Sequence, residues 1–163
     1  MAEENQAASD DKRLAIIKIY VKDFSFESPL TPNVFRADEW APQTNLNLTS
    51  SHIALEGDDN LHEITLTITV EAKDKESDQT LFLVELQQAG LFHIDGYEEE
   101  EFGGIIGSFC PNILFPYARE TIASTVAKGG FPEFVLQPIN FDALYLQSRQ
   151  QAAQQQGEAA ETH

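Results

Sequence analysis

The sequence predicts an α+β domain in which an antiparallel four-stranded sheet is covered on one face by two C-terminal helices. Segments with alternating apolar and polar residues come first along the chain, and helical spacing appears only near its end. Alternating strand and helix units are absent, which argues against a doubly wound nucleotide-binding fold. The 163 residues are enough for one domain of ordinary size.

Four segments have the composition of strands, namely residues 14–27, 45–50, 62–72 and 80–94. The third is the clearest, because its isoleucine, leucine and valine residues share one face while its threonines share the other. Such a pattern is typical of a sheet with one buried face. The short charged segment 73–79 joins the last two strands and predicts a hairpin.

Two helices follow near the C-terminus. Pro116 suits the first turn of the first helix, and Gly129-Gly130 supplies a left-handed stop after Lys128. Within that helix, Ala118, Ile122 and Val126 are spaced four apart and predict a buried stripe. The second helix is predicted to open at residue 140 or 142, where an Asn or an Asp can cap it.

The remaining segments are predicted to be irregular. Residues 95–107 are rich in glycine and are expected to be loose or tightly turned. Residues 1–13 and 151–163 are polar or low in complexity, so we expect a disordered N-terminal arm and a disordered C-terminal tail. The folded domain is therefore expected to span residues 14–150.

Charge and composition exclude several functional classes. The chain has 27 acidic and 10 basic residues and a formal net charge of −17, which argues against nucleic-acid binding and against docking on anionic lipid. No apolar stretch is long enough for membrane insertion, and the acidic first residues do not resemble a secretory signal peptide. The single cysteine, Cys110, allows no internal disulfide. A cytoplasmic location is expected.

No catalytic, cofactor or metal motif is recognisable. The phosphate-binding loop is absent, the four histidines lack metal-ligand spacing, and Cys110 has no local base. His62 and His93 could meet across the sheet, although ordinary strand-end roles fit them better. The run Glu98 to Glu101 is interpreted as a solvated face. We therefore expect a protein that is not an enzyme and that uses no cofactor and no metal.

Two surfaces remain as candidates for binding. Asp23 and Glu27 share the polar face of the first strand, and Leu83 and Glu85 share one face of the fourth. If these faces coincide, they form a flat acidic surface with an apolar centre that fits a basic protein partner, and a plain solvated face is the alternative. The proline-rich connection before the second strand contains Phe35 and Trp40. Its rings could plug the core or line a groove for an apolar peptide.

Long, unusual strings of residues resemble SecB, the bacterial protein-export chaperone family. They are CPNILFPYARETIASTVAKGGFPEFVLQPINFDALYLQ (110–147), IYVKDFSFESP (19–29), the tryptophan in Asp38-Glu39-Trp40, and FLVELQQAGLFHI (82–94). The resemblance covers about residues 14–150. It implies an α+β homotetramer, a dimer of dimers, that holds precursor proteins unfolded without ATP and delivers them to the SecA ATPase.

The resemblance also implies roles for individual positions. The residues that dock SecA fall on Asp23, Glu27, Leu83 and Glu85. The client-binding groove falls on Phe35, Trp40, Leu144 and Tyr145. The positions that affect tetramer formation fall on Val84, Leu86 and Gln88.

A competing interpretation is an acidic adaptor that binds one folded basic partner and holds no unfolded chains. Such a protein would keep the acidic face but would need no exposed apolar groove. Phe35 and Trp40 would then be buried.

Overall fold

A computed structural model describes residues 11–161 and has the predicted architecture, an antiparallel sheet with helices on one face. Its four strands lie in the order β1-β4-β3-β2, so that β1 and β2 form the two edges. The strands are β1 (Arg13–Glu27), β2 (Pro42–Leu55), β3 (Asp58–Asp74) and β4 (Thr80–Asp95). The helices are α1 (Glu99–Gly104), α2 (Cys110–Lys128) and α3 (Phe141–Glu161).

Strand β2 is much longer than the predicted segment 45–50. It pairs with β3 along its whole length, from Pro42 opposite Asp74 to Leu55 opposite Asp58. The extra residues could not be predicted from alternation, because polar side chains occur on both faces of this strand. The predicted hairpin over residues 62–94 is confirmed, since β3 and β4 are adjacent and antiparallel.

Two bulges on β1 change which face its residues share. The pairing with β4 skips one residue between Ile16 and Lys18 and another between Val21 and Asp23. Because an extra residue reverses the alternation, Tyr20 lies on the same face as Asp23 rather than with Phe24. Simple alternation along β1 would place Tyr20 on the face of Phe24 instead.

The core lies between α2 and the face of β3 and β4 that α2 covers. Ala118, Ile122 and Val126 are fully buried, which confirms the predicted stripe. Cys110 is also fully buried, and burial raises the pKa of its thiol to about 12. That thiol remains protonated and inert at neutral pH.

The helical region begins earlier than predicted. Residues 99–104 form α1, a π-helical turn follows at 105–109, and α2 starts directly after it, so the expectation of a loose segment over 95–107 is wrong. The glutamates of the first turn favour this helix, because negative charge stabilises a helix N-terminus.

The prolines and glycines of α2 differ partly from their predicted roles. Pro111 occupies the first turn of α2, and Pro116 lies inside the helix. Because Pro116 has no backbone N–H, the backbone carbonyl of Asn112 lacks its usual helical hydrogen bond. Both residues are exposed, so water can hydrogen-bond to that carbonyl. Gly130 adopts a φ of 89° after the helix, which confirms the glycine stop.

Helix α3 continues to Glu161, whereas a disordered tail was expected from residue 151. Ala, Gln and Glu dominate this segment and all have high helix propensity. Residues 1–10 of the predicted arm and residues 162–163 lie outside the described part of the chain. Within residues 11–161, no helix is both long and apolar enough to cross a bilayer.

Replacement of Gly90 tests the close packing of α2 against the sheet. A Cβ at Gly90 would lie 2.6 Å from the Phe92 ring and 2.9 Å from a Leu114 methyl group, and both side chains are fully buried. Gly90→Ala should lower the free energy of unfolding by about 1–3 kcal/mol in urea denaturation. Gly104→Ala is the control, because a Cβ there meets no atom within 4 Å. Equal stability of the two variants would contradict this packing.

Candidate functional site

The face of the sheet turned away from α2 carries the predicted acidic surface. Across β1 and β4, Glu27 lies opposite Leu83, Ser25 opposite Glu85 and Asp23 opposite Gln87. Directly opposed residues of an antiparallel pair project to the same side. The four predicted residues therefore come together in what we call the acidic patch: Asp23, Glu27, Leu83 and Glu85.

The carboxylates of the acidic patch are not neutralised by neighbouring cations. Asp23, Glu27 and Glu85 are exposed, and none of them takes part in an ion pair within residues 11–161. The nearby cation Lys22 is engaged elsewhere, with its Nζ 2.6 Å from Oε1 of Glu63. The patch can therefore offer its full negative charge to a cationic partner.

Glu71 is a further carboxylate on this face that the sequence analysis did not join to the patch. It lies on β3 directly opposite Leu83, so Leu83 is flanked by Glu27 on one side and Glu71 on the other. Lys73 approaches Glu71 to 3.4 Å and offsets part of its charge. Strand order was needed to find Glu71, because alternation within β3 does not show which strand lies beside it.

The Phe35 and Trp40 rings sit half exposed on a buried aromatic base. Their ring centroids lie 5.6 Å and 5.4 Å from that of Phe131, which is only 5% exposed and packs on Phe82 at 5.2 Å. Phe35 itself is 52% exposed and Trp40 is 40% exposed. The rings therefore rest on the core without being enclosed by it, and each presents an apolar surface to solvent.

Beyond this aromatic end, two apolar cavities lie one after the other along the edge strand β2, and we call them together the groove. Its first part is a cavity of about 330 Å³ between Leu46 and the extended segment 134–139. Its second part is a cavity of about 520 Å³ between the 48–52 portion of β2 and α3. Large apolar side chains along this path are left about half exposed: Leu46 (47%), Val135 (49%) and Leu144 (45%).

Leu144 and Tyr145 line the second cavity, at the opposite end of β2 from Phe35 and Trp40. The four predicted groove residues therefore mark two ends of one strand and do not form a single pocket. The lining residues of β2 run from Thr44 to His52, which gives this path a length of roughly 30 Å. An extended peptide, not a compact ligand, has the matching shape.

Hydrogen bonds and a close ring contact hold the start of α3 in place. The backbone N–H of Ala143 donates to the Asn140 side chain at 3.0 Å, which confirms the predicted cap, and the Ser108 hydroxyl donates to Asp142. The Tyr145 ring lies against Gly107 of the π-helical turn, where a Cβ would overlap it. Glycine at this position lets α3 lie directly on the turn.

Val84, Leu86 and Gln88 lie on the opposite side of β4 from the acidic patch. Their exposed fractions are 0%, 1% and 2%, and the Gln88 amide donates to the carbonyl of Tyr20 at 3.1 Å. These three residues face the core within one chain. Any effect on assembly would have to act through the packing that they support.

The histidine pair in the structure is not the one that the sequence analysis considered and disfavoured. His62 meets His52 rather than His93, with 2.8 Å between Nδ1 of His62 and Nε2 of His52. His93 lies opposite Leu61 on the other face of the sheet. Among residues 11–161 there is no group of three or more histidine, cysteine or carboxylate side chains that could hold a metal ion.

Comparison with known proteins gives a consistent result across the chain. The family model described as preprotein translocase subunit SecB matches residues 6–152. A protein-export protein SecB of Nitrosococcus oceani is 51% identical over 157 residues, covering 93% of each chain. A protein-export protein SecB of Methylococcus capsulatus is 49% identical over 163 residues, covering both chains completely.

A solved structure shares the fold at low sequence identity. A SecB-like chaperone of Mycobacterium tuberculosis, solved in complex with a peptide from an antitoxin, superposes with a TM-score of 0.64 at 16% identity. The match covers 78% of this chain and 91% of that one. At this identity, the comparison supports the arrangement of the sheet and helices.

The Tyr20–Glu63 contact beside the acidic patch should be visible in a pH titration. Burial, the hydrogen bond to Glu63 and the negative charge of Glu63 together raise the pKa of Tyr20 to about 12. Because a raised pKa keeps the phenol neutral, Tyr20 should ionise about two pH units above the ordinary tyrosine pKa of about 10. Stopped-flow pH jumps read at 295 nm would detect it before the protein unfolds.

Glu63→Gln should move this late tyrosine titration part of the way back towards pH 10, since burial remains while the charge is lost. Tyr20→Phe should abolish the late step, and Tyr117→Phe, at a 52% exposed position, should leave it in place. Titration of all tyrosines near pH 10 in the unmodified protein would contradict the contact.

Proposed function

The chain belongs to the SecB family of protein-export chaperones, and from this premise we propose that it holds precursor proteins unfolded in the cytoplasm as a homotetramer. In this proposal, no ATP is used, and bound precursors pass to the SecA ATPase at the acidic patch. The relatives named protein-export protein SecB support this function over the full length of the chain. Residues 14–150 act as one client-binding and partner-binding domain.

The observation that carries the proposal is the open apolar groove along β2. Burial of apolar surface contributes roughly 25 cal/mol per Å² whatever the sequence that supplies it, so a long groove accumulates affinity without selecting one peptide. The half-exposed rings of Phe35 and Trp40 anchor one end, and Leu144 and Tyr145 the other. Since β2 is an edge strand, its outer backbone groups are also within reach of an extended client.

The acidic patch is proposed as the docking surface for SecA. It lies on the opposite face of the sheet from α2 and the groove, so one protomer can hold a client and contact SecA at the same time. Its carboxylates lack cationic partners within residues 11–161, and Leu83 supplies an apolar centre. A basic segment of SecA would complement both features.

Assembly into a dimer of dimers would place several grooves on one client and raise affinity by avidity. Apolar residues left exposed on β1 and on the π-helical turn and α2 are available for contacts between copies: Ile16, Ile17, Val21, Phe109 and Tyr117. Val84, Leu86 and Gln88 would influence assembly by shaping the packing of the sheet beneath α2. Sizing by native mass spectrometry tests the tetramer directly.

The adaptor alternative requires Phe35 and Trp40 to be buried, and both are substantially exposed. An adaptor that binds one folded basic partner would also have no use for the groove along β2. The exposed rings therefore favour the chaperone.

Client binding should be reported by Trp40, the single tryptophan of the chain. An unfolded precursor that covers the 40% exposed ring should shift its emission to shorter wavelength and reduce quenching by iodide severalfold. The same precursor, folded, should produce neither change, and nucleotide should have no effect. A response of equal size to both forms of the precursor would contradict groove binding and would favour the adaptor.

Charge reversal in the acidic patch should separate partner docking from client holding. Glu85→Lys should weaken SecA binding by about tenfold, or about 1.4 kcal/mol, and more strongly at low salt. Prevention of light scattering by a diluted, denatured precursor should be unchanged, because Glu85 lies on the face away from the groove.

Glu56→Lys makes the same change of charge at the exposed turn between β2 and β3 and serves as the matched control. It should bind SecA like the unmodified protein. Equal loss of SecA binding in both variants would indicate a general charge effect, and loss of client holding in Glu85→Lys would indicate a folding defect.

A further inference from the structure

His52 and His62 form a contact that the chaperone function does not use. Their rings lie on β2 and β3, where 2.8 Å separates Nε2 of His52 from Nδ1 of His62. The centroid of the Phe102 ring, on α1, lies 5.6 Å from that of His52 and 5.0 Å from that of His62. The Phe102 ring of α1 therefore packs against both imidazole rings.

A hydrogen bond between two imidazoles needs one nitrogen that donates and one that accepts. A neutral pair meets this condition, and a pair with one added proton still does, because one ring keeps a lone pair. When both rings are protonated, two N–H groups point at each other and two positive charges lie side by side. The hydrogen bond between the rings therefore persists when one ring is protonated and is lost when both rings are protonated.

The surroundings disfavour protonation of both rings. Burial, and then the neighbouring His62, lower the pKa of His52 below 6.5. Burial also lowers the pKa of His62, and His93 on β4 adds a smaller lowering effect. The backbone of Asp59 and the carboxylates of Asp58 and Asp59 favour the charged form of His62, but the effect of burial is larger.

Three further charged groups near the two rings lie on α1. Glu100 contacts Arg149 at 3.5 Å, Glu101 contacts Lys12 at 2.9 Å, and Glu99 lies in the same exposed first turn. From α3, the side chains of Tyr145 and Ser148 line the cavity beside His52. On β3, Asp58 and Asp59 are the carboxylates that act on His62, and burial outweighs their effect on its pKa.

We propose that the His52–His62 pair is a pH-sensitive latch that fastens α1 to the sheet, and that its double protonation releases α1. Gly103 of α1 lines the same cavity as His52 and Tyr145, so release of α1 also opens the α3 end of the groove. The latch depends only on the two rings and on Phe102, so it can be tested without client or partner.

The direction of the pH effect follows from linkage. The folded chain binds fewer protons at this pair than the unfolded chain does, so stability at the latch is complete above pH 6.5 and is lost as the pH falls through the lowered pKa values. Acidification to about pH 5 stays above the isoelectric point near 4.3, which limits precipitation.

Hydrogen exchange followed by mass spectrometry tests the latch. Exchange rates for peptides covering residues 98–105, corrected for the intrinsic effect of pH, should rise about tenfold relative to peptides of α2 between about pH 7.5 and pH 5. His52→Gln should abolish this rise, because the amide can still donate to His62 but cannot add a second charge. His93→Gln removes only the smallest contribution to the pKa of His62 and leaves the His52–His62 contact in place, so this variant should keep the rise.

A flat response in the unmodified protein, or an equal rise in His52→Gln, would overturn the latch. Imidazole NMR on the unmodified protein provides a second measurement that needs no variant. The rings of His52 and His62 should titrate in two separate steps, both at a pKa below 6.5. A single shared step near pH 6.5 would also overturn the proposal, and neither readout depends on chaperone activity.

Discussion

The packing of α2 against one face of β3 and β4 is the contact on which the other features of this protein depend. Ala118, Ile122 and Val126 are buried completely against this face, and the bare backbone of Gly90 lets Leu114 approach it closely. Because α2 covers the central strands on one side only, the opposite face stays open for polar residues. Both candidate binding surfaces exist because this cover is incomplete, one on the open face and the other along the edge strand β2.

Much of this architecture could be predicted from periodicity, and the failures have identifiable causes. The buried alternation of β3 and the stripe of α2 reflect strong one-sided burial, and both were predicted correctly. The bulge at Lys22 and the full length of β2 were missed, because a bulge leaves no signal in alternation and an edge strand has little apolar pattern. Helix α1 was missed because the glycines of residues 95–107 suggested a turn, whereas two of them, Gly103 and Gly107, make room for Tyr145.

The two candidate surfaces differ in how far the sequence could define them. Alternation was enough to place Asp23 with Glu27 and Leu83 with Glu85, and pairing of β1 with β4 then joined the two sets. The groove needed tertiary structure, since it lies between β2 and two segments more than 80 residues further along the chain. For the same reason the half-exposed state of Phe35 and Trp40 could not be distinguished from a buried one, because it depends on the position of Phe131.

The separation of the two surfaces limits how a docked partner could act on a bound client. A partner on the acidic patch covers the outer face of β1 and β4, so it does not displace a client from the groove by direct overlap. On β4, however, Leu83 and Glu85 alternate with Val84 and Leu86, which are sealed in the core beneath α2. A shift of this strand at the patch would therefore disturb the packing that positions α2 and the helices continuous with it. If transfer needs no ATP, as we propose, it has two physical routes: a change in packing transmitted through β4, and direct competition by the partner for the client chain.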